Sequence, residues 1–277
     1  MPPVLRCAGY ELELSRPLLM GIVNLTPDSF SGDGLATDVA RAITHAEAQL
    51  KEGAEILDIG AESSRPGAIP TPEDEELRRL IPVLAEVTRW GVPVSVDTYK
   101  PRVMRAAIEA GAAMINDICA LAEPGALDAV VDSDCAVCVM HMQGQPGTMQ
   151  SSPAYGDVVA EVSGFLGSAV DRCRQAGIAC DRLVVDPGFG FGKTLAHNIA
   201  LFRALTADIW CGLPVLVGVS RKTMLGQITG QPVECRQVAS VSAALLAAMK
   251  GAAILRVHDV AATRDALAVW SAIEQGD

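Results

Sequence analysis

The chain has 277 residues, half of them hydrophobic, and a formal net charge of −11. A chain of this length and apolar content can bury a large core and suits one α/β barrel. The negative charge opposes non-specific binding to nucleic acid or to an anionic membrane, because both need a basic surface. An anionic substrate would therefore require positive charge concentrated in one site.

The sequence shows no sign of membrane insertion or secretion. It contains no run of about 18 apolar residues, so we expect no membrane span. Residues 1–17 lack the basic-then-apolar pattern of a secretory leader. The eight cysteines, in so long a chain, are typical of thiols in a reduced compartment. These features predict a cytoplasmic location.

Eight short apolar segments are candidate β-strands. Their hydrophobic runs are nearly continuous, which indicates burial on both faces, as in a parallel sheet. Segments with helical patterns lie between them, so that the two kinds alternate along the chain. The predicted strands are residues 18–24, 54–60, 92–97, 113–118, 136–141, 182–186, 214–219 and 253–258.

The predicted helices carry local start and stop signals. The segment 38–52 follows Thr37, a suitable N-cap residue, and 72–90 has acidic residues in its first turn. The segment 101–110 starts with proline and ends before Gly111, as helices often do. The remaining predicted helices are residues 125–132, 157–176, 195–205, 237–250 and 261–274.

Eight alternating β and α units predict an α/β fold, namely a single closed (β/α)₈ TIM barrel. An open doubly wound sheet is the alternative that the pattern leaves open. Residues 4–17 precede the first strand and predict a short N-terminal hairpin that caps the bottom of the barrel. Because no linker or low-complexity tract is evident, we expect residues 1–277 to form a single domain.

Polar or charged side chains stand at the ends of all the predicted strands, which a purely structural barrel would not need. Active sites of such barrels lie at the carboxyl ends of the strands. Two polar loops, residues 25–34 and 61–68, follow the first two strands and are predicted to be mobile lids. The strand-end residues are Asn24, Asp58, Asp97, Asn116, Asp117, His141, Asp186, Ser220, Arg221, Lys222, Arg256 and His258.

Three short polar side chains, Asp97, Asn116 and Asp186, end the third, fourth and sixth strands. They suit a flat heterocycle with an amino-amidine edge, because a carboxylate accepts two parallel N–H bonds from such an edge. The alternative for each of them is that it satisfies backbone groups of its own loop. The occurrence of all three at strand ends favours the binding site.

Arg256 and His258 lie two positions apart on the last strand and therefore face the same way. Beside Asn24 on the first strand they would form an anion site, which is frequent near strands seven and eight of this fold. The structural alternative is an ion pair of Arg256 with Asp259. Lys222 is placed to reach the barrel mouth. Residues 188–193 lack the spacing of a phosphate loop or dinucleotide site.

Several motifs, in order along nearly the whole chain, carry a resemblance to the dihydropteroate synthases of the folate pathway. The first two lie at the predicted lids, and the others lie at later strand ends. They are residues 20–31 (MGIVNLTPDSFS), 58–67 (DIGAESSRPG), 95–98 (SVDT), 115–117 (IND), 140–142 (MHM), 186–193 (DPGFGFGK), 220–222 (SRK) and 256–258 (RVH).

The resemblance implies a transferase that joins 6-hydroxymethyl-7,8-dihydropterin diphosphate to p-aminobenzoate and releases pyrophosphate and 7,8-dihydropteroate. It implies an SN1-like substitution with Mg²⁺ and no protein nucleophile. It also implies a homodimer, for which the apolar segment 238–249 offers a face unless it simply packs on the barrel. No nucleic acid or membrane partner is expected.

The resemblance further implies roles for particular residues. Asp97, Asp186, Lys222, Arg256 and His258 would be catalytic. The pterin would be held by Asp97, Asn116, Asp186, Lys222 and Arg256, the last stacked on its face. The diphosphate would be held by Asn24, Arg65, Arg256 and His258, with Asn24 acting through Mg²⁺. The p-aminobenzoate site would be lined by Phe30, Ser64, Pro66, Phe189, Ser220 and Lys222.

Two lid segments depart from the family pattern. Ser64 stands where threonine is usual, and Gly32-Asp33 stands where the order Asp-Gly is usual. Serine keeps the hydroxyl, so the changes bear on affinity for p-aminobenzoate and its sulfonamide mimics rather than on catalysis. The competing functions are a non-catalytic pterin-binding paralogue and a pterin-dependent methyltransferase barrel. The two lid motifs and Ser220-Arg221-Lys222 favour the synthase over the methyltransferase.

Overall fold

The computed structural model describes residues 3–25, 39–63, 67–206 and 208–274. A two-stranded hairpin comes first, and parallel strands and helices then alternate. The strands are β1 (Val4–Cys7), β2 (Tyr10–Glu13), β3 (Leu18–Asn24), β4 (Ile56–Gly60), β5 (Val94–Asp97), β6 (Met114–Asp117), β7 (Ala136–Met140), β8 (Leu183–Asp186), β9 (Leu216–Val217) and β10 (Ile254–Val257). The described helices are α1 (Val39–Glu52), α2 (Glu73–Val87), α3 (Pro101–Glu109), α4 (Ala126–Val130), α5 (Val158–Gln175), α6 (Leu195–Arg203), α7 (Thr223–Thr229), α8 (Gln237–Met249) and α9 (Val260–Glu274).

Strands β3 to β10 form one parallel sheet in the order β8-β7-β6-β5-β4-β3-β10-β9. A parallel bridge between Val185 of β8 and Val215, just before β9, joins the two ends of this sheet. The sheet is therefore a closed barrel, as the alternating pattern predicted, and the open-sheet alternative is excluded. Closure also removes the edge strands that an open sheet would expose.

Side chains alternate between two faces along each strand. Those facing outward, such as Leu57, Val96 and Leu255, pack in the large core beneath the helices. At the amino ends, the side chains facing inward form a second apolar layer, whose members include Leu18, Met20, Ile56, Met114, Cys138, Val184, Leu216 and Ile254. Residues two positions further along these strands face inward at the opposite, carboxyl end.

The hairpin of β1 and β2 closes the amino end of the barrel, as predicted. Its Leu5 and Cys7 are almost fully buried and belong to the inner apolar layer. The backbone N–H of Ala8 donates to the carbonyl of Asp134, just before β7, at 2.9 Å. Burial of these side chains ties the N-terminal segment to the barrel bottom.

Some element boundaries differ from the sequence prediction. Helix α7 was not predicted, because its seven residues are too few to show a helical period. Strand β9 has two residues instead of the six predicted for 214–219. At the start of α5, the Asp157 side chain accepts hydrogen bonds from two backbone N–H groups and acts as the N-cap. Thr37, the predicted N-cap residue of the first helix, lies outside the described residues.

Helix α8 shows which of its faces meets the barrel. Ala243, Ala244 and Ala247 are buried, whereas Leu246 and Met249 are about half exposed. The small residues therefore allow close packing on the barrel, and larger apolar residues remain outside. Within the described ranges, no helix is long and apolar enough to cross a membrane.

Candidate active site

Arg256 stands at the centre of the carboxyl end of the barrel. It lies two positions after the inward-facing Ile254 of β10. Its Nε donates to Asp58 Oδ2 at 2.6 Å, and its Nη2 donates to Asp97 Oδ2 at 2.8 Å. The alternative pair of Arg256 with Asp259 is not formed.

Asp259 instead binds Arg221, whose Nη2 donates to Asp259 Oδ1 at 2.8 Å. Arg221 has a φ of 58°, a left-handed conformation that is uncommon outside glycine. Its N–H donates to Ser240 Oγ at 2.9 Å, and its carbonyl accepts from Arg236 at 3.1 Å. These contacts hold the turn that sends the next residue, Lys222, toward the mouth.

Two carboxylates share the single guanidinium of Arg256. The pKa of Asp97 is raised to about 7. Burial is the main cause and the charge of Asp58 adds to it, whereas Arg256 opposes the rise. Burial alone would lower the pKa of Arg256, but Asp58 and Asp97 outweigh it and raise the pKa. The cluster therefore keeps a firmly charged cation next to a carboxyl group that titrates near neutrality.

Asp58 is a site residue that the strand pattern placed at a strand end without indicating a role. Its side chain is fully buried and holds the Nε of Arg256. Its other oxygen, Oδ1, has no hydrogen-bond partner among the described residues. The sequence signal that could have identified Asp58 is its spacing, because it lies two positions after Ile56 and therefore faces inward.

Asp97, Asn116 and Asp186 lie at the carboxyl ends of β5, β6 and β8, at the mouth of the barrel. Asp97 and Asn116 are direct partners in the register of β5 and β6, and Asp186 is two positions after the inward-facing Val184. Asp186 also accepts a 2.6 Å hydrogen bond from the N–H of Gly188, so it satisfies its own loop in part. Burial raises the pKa of Asp186, with Lys222 opposing the rise.

Asp117, by contrast, serves only its own loop in the described contacts. Its two carboxylate oxygens accept from the N–H groups of Cys119 and Leu121, each at 2.7 Å. Burial raises its pKa to about 6. The neighbouring side chains of Asn116 and Asp117 thus have different roles, because alternate positions on a strand face opposite sides of the wall.

Lys222 reaches the mouth between β9 and the loop that follows β8. Its Nζ donates to the carbonyl of Phe189 at 2.5 Å and lies 4.7 Å from the centre of the Phe191 ring. Burial lowers the pKa of Lys222 to about 8, with Asp186 opposing the fall. Gly218 lies beside it, and the missing side chain there leaves space next to Arg256.

Phe189 and Phe191 occupy different environments. The Phe189 ring is fully buried and lies 5.6 Å from the ring of Phe202, centre to centre. Only its backbone carbonyl reaches Lys222, whereas the half-buried Phe191 ring faces that ammonium group. The predicted contact of Phe189 with p-aminobenzoate stays a prediction, and Phe191 joins the residues around the mouth.

Ser220 and His258 meet at the junction of the seventh and eighth barrel strands. His258 Nδ1 lies 3.0 Å from Ser220 Oγ, and the His258 backbone N–H donates to the same oxygen at 3.3 Å. The carbonyl of His258 accepts from the side chain of Gln49 at 3.2 Å. The histidine is therefore held on both sides, two positions beyond Arg256.

Asn24 ends β3 on the same level as Gly60 and Asp97. Its amide oxygen is a hard donor suited to Mg²⁺, which commonly takes one or two protein oxygens and completes its shell with substrate phosphates and water. Within the described ranges, no group of three His, Cys, Asp or Glu residues could hold a metal ion alone. The donor set therefore fits a Mg²⁺ ion that arrives with a diphosphate.

Part of the predicted site falls on residues whose arrangement is not described. Phe30 lies in the first lid, and Ser64, Arg65 and Pro66 lie in the second. The described base of the second lid is anchored by a buried ion cluster, in which Lys100 binds Glu62 and Glu76. Glu62 precedes residues 64–66 and Glu76 follows them, so this cluster holds the chain on both sides of these residues, next to Asp97.

Comparisons with known proteins agree with the geometry. A family model described as "Pterin binding enzyme" matches residues 20–258. The dihydropteroate synthase of Neisseria meningitidis serogroup C is 50% identical over 275 residues, which are 98% of this chain and 97% of the relative. The Xanthomonas albilineans dihydropteroate synthase structure with 4-aminobenzoic acid is 53% identical, with a TM-score of 0.92 and 99% of each chain covered. The Yersinia pestis enzyme in a sulfonamide drug complex has a TM-score of 0.94 at 47% identity, covering 98% of this chain and 99% of that one.

Proposed function

The chain belongs to the dihydropteroate synthase family, and we propose that the residues gathered at its barrel mouth carry the family's reaction. The enzyme is a transferase of folate biosynthesis. It condenses 6-hydroxymethyl-7,8-dihydropterin diphosphate with p-aminobenzoate. The observation that supports the assignment of residues is the buried cluster of Arg256 with Asp58 and Asp97.

In this proposal the pterin enters the mouth edge-on. Asp97 and Asp186 accept hydrogen bonds from its amino-amidine edge, and Asn116 offers both a donor and an acceptor. Lys222 donates to a ring acceptor from the opposite side. Arg256 lies against the face of the ring. These groups bind and orient the ring, because each is held on a strand or by a loop contact described above.

The diphosphate would lie toward β3 and β10. Arg256, His258 and Arg65 would neutralise its charge, and Asn24 would hold Mg²⁺ beside it. When bound, Mg²⁺ supplies Lewis-acid stabilisation of the pyrophosphate leaving group. Pairing of Arg256 with two carboxylates keeps its guanidinium charged and oriented toward the mouth, so that it needs no rearrangement as the leaving group departs.

Breaking of the C–O bond would leave positive charge on the pterin methylene, shared with the ring. Asp97 and Asp186 stabilise that charge because both carboxylates lie at the ring edge. The amine of p-aminobenzoate then attacks the methylene, which forms the C–N bond and releases one proton. An SN1-like substitution of this kind needs no protein nucleophile.

The p-aminobenzoate site would be closed by the two lids. Phe30, Ser64 and Pro66 would come from the lids, and Ser220 and Lys222 from the barrel. The same proposal includes Phe189, whose ring is buried and whose carbonyl binds Lys222. Residues 1–277 would act as one domain in the cytoplasm.

A homodimer is the proposed assembly. Helices α8 and α9 carry exposed apolar residues, with Val238, Val269 and Ile273 more than half exposed. A second copy would cover this face. Sedimentation of the wild type and of Val269→Glu tests this assignment, since a monomeric wild type would contradict it.

The assay that tests the function measures pyrophosphate release from dihydropterin diphosphate and Mg²⁺, with and without p-aminobenzoate. We expect release that depends on p-aminobenzoate, together with formation of 7,8-dihydropteroate. Arg102→Met is a control variant that should keep the wild-type activity, because Arg102 of α3 binds Asp74 of α2 on the exposed surface. Pterin binding without dihydropteroate formation would identify a non-catalytic paralogue instead.

A further inference from the structure

Lys193 is a buried lysine that the proposed reaction does not use. It ends the glycine-rich loop after β8, and only 3% of its surface is exposed. Its Nζ contacts His141 Nδ1 at 2.9 Å and the carbonyl oxygens of Gly188 and Phe191 at 2.8 and 3.0 Å. A fourth contact, to the carbonyl of His141, measures 3.3 Å. The hydrogen-bond donors of Nζ are taken up by these four neutral groups, so none is left for a substrate.

His141 is suited to accept this hydrogen bond. Burial and, to a smaller extent, the nearby charge of Lys193 lower its pKa to about 3. The ring is therefore neutral, and Nδ1 can accept a hydrogen bond. The Phe165 ring packs edge-on against it, with ring centres 5.0 Å apart. Burial lowers the pKa of Lys193 to about 7, because it disfavours the charged form, and the charge of nearby Asp186 opposes the fall.

The loop itself packs directly on the end of β7. Gly188 has a φ of +68°, and a side chain there would place its Cβ 1.8 Å from the carbonyl oxygen of His141. Lys193 draws the carbonyls of Gly188 and Phe191 inward at this point. The carbonyl of Phe189, between them, instead accepts from Lys222. One loop thus connects the buried lysine to the lysine at the mouth.

The same loop also fixes a carboxylate of the site. The N–H of Gly188 donates to Asp186 Oδ1 at 2.6 Å. Holding the Gly188 carbonyl therefore holds the peptide groups that place Asp186. At its outer end the loop has a further tie, because the hydroxyl of Tyr155 donates to the Gly192 carbonyl at 2.8 Å.

We propose that Lys193, with His141 as its partner, is a positioning residue that sets Asp186 and Lys222 for the pterin through the backbone of residues 188–191. This inference rests on the proposed function, because it takes Asp186 and Lys222 to be pterin ligands. Lys193 itself touches no substrate. The hydrogen bonds that its Nζ donates hold the carbonyl groups of His141, Gly188 and Phe191 together at one point.

The test measures the Kd of a non-reactive pterin, 6-hydroxymethylpterin, for the wild type and for Lys193→Met, without p-aminobenzoate. We expect the Kd to rise about 10- to 100-fold in the variant, because small displacements of ligand groups have effects of that size. Tyr155→Phe removes only the outer tie of the loop, and its Kd should stay within about twofold of the wild type. A folded Lys193→Met protein with wild-type Kd would overturn the proposal.

A second pair of variants covers the case in which Lys193→Met does not fold. His141→Asn keeps an acceptor near the Nδ1 position, whereas His141→Leu removes it. We expect His141→Leu to weaken pterin binding and His141→Asn to restore most of it. Equal Kd values for the two would contradict the proposal. A purely structural defect would lower the active fraction and leave the Kd of the folded protein unchanged.

Failure of the proposed function gives a different result. The wild type would then bind the pterin without forming dihydropteroate, or would not bind it at all. The comparison of Kd values needs no turnover, so loss of binding in Lys193→Met still supports positioning when the wild type binds but does not react. Failure of the wild type to bind the pterin would refute both proposals.

Discussion

At the amino end of the barrel, the inward-facing layer consists of residues such as Met20, Ile56 and Ile254, covered by Leu5 of the hairpin. At the carboxyl end, two positions along the same strands, Asp58 and Arg256 face the same interior. The first layer stabilises the fold, because buried apolar surface contributes about 25 cal/mol per Å². The second layer buries charge, which costs hydration energy that the ion pairs only partly return.

The difference shows how one scaffold separates stability from chemistry. Substitutions at the carboxyl end should reduce turnover or pterin binding with little loss of stability. Substitutions at the amino end should reduce stability and leave catalysis unchanged in the folded protein. Variants at the two ends therefore test whether stability and catalysis depend on separate layers of side chains.

Replacement of Arg256 should have the largest effect. We expect Arg256→Met to reduce kcat by about 10²- to 10³-fold, because it removes the cation that is proposed to stabilise the departing pyrophosphate. Steady-state pyrophosphate release measures this. The control is Arg182→Met, at the opposite end of β8, where Arg182 donates to the Cys135 carbonyl at 2.9 Å. A similar loss of kcat in both variants would contradict the separation.

Removal of the Asp97 carboxylate should mainly affect binding. Asp97→Ala leaves the buried donors of the pterin unpaired and should weaken binding by roughly 2–4 kcal/mol. Titration of the pterin, followed by its fluorescence, measures the Kd. Near-normal affinity would refute the role given to Asp97.

Replacement of Asp58 should lower turnover without lowering the stability of the fold. Asp58→Asn removes a buried carboxylate whose Oδ1 has no partner among the described residues and leaves Arg256 paired with Asp97. We expect turnover to fall by about tenfold as Arg256 loses one of the two negative charges that orient it, a change of about 1.4 kcal/mol. The thermal midpoint should stay unchanged or rise, because one of two carboxylates that share a cation is removed. A large drop in that midpoint would show that Asp58 stabilises the fold.

The pKa of Asp97, raised by burial to about 7, predicts a pH dependence of pterin binding. Protonated Asp97 accepts fewer hydrogen bonds, so the Kd should rise as pH falls below about 7, by up to about tenfold per pH unit. Asp97→Asn should lose this step. In the absence of ligand, the folded chain holds the proton better than the unfolded chain between about pH 4 and 7. Asp97 therefore makes the free energy of unfolding decrease as pH rises through that range.

Leu5→Ala should have the smallest effect on catalysis. The side chain is fully buried in the inner layer, and its truncation should lower the free energy of unfolding by about 2–5 kcal/mol. Denaturant unfolding measures this loss, with Leu12→Ala as the control because Leu12 is only half buried. At a temperature where the variant remains folded, kcat/KM should match the wild type. A matching loss of kcat/KM would show that the two ends are coupled.

Local patterns in the sequence predicted the elements that depend on neighbouring residues alone. Apolar runs located all eight barrel strands, and Gly111 and the acidic first turn of α2 marked helix ends. Short elements such as α7 escaped, because seven residues do not establish a period. The polar strand ends Asp97, Asn116 and Asp186 were found as candidates, because strand position fixes both their end of the barrel and, by alternation, their face.

The alternation of strands and helices, the polar strand ends and the family membership can all be read from the sequence. Which groups become partners depends on the three-dimensional fold. Arg256 pairs with Asp58, 198 positions away, and not with nearby Asp259. Lys193 lies in a glycine-rich loop, a kind of segment that is usually exposed, and it is nevertheless buried against His141. The reason is that barrel closure brings distant strands together, and such contacts depend on packing that no local period records.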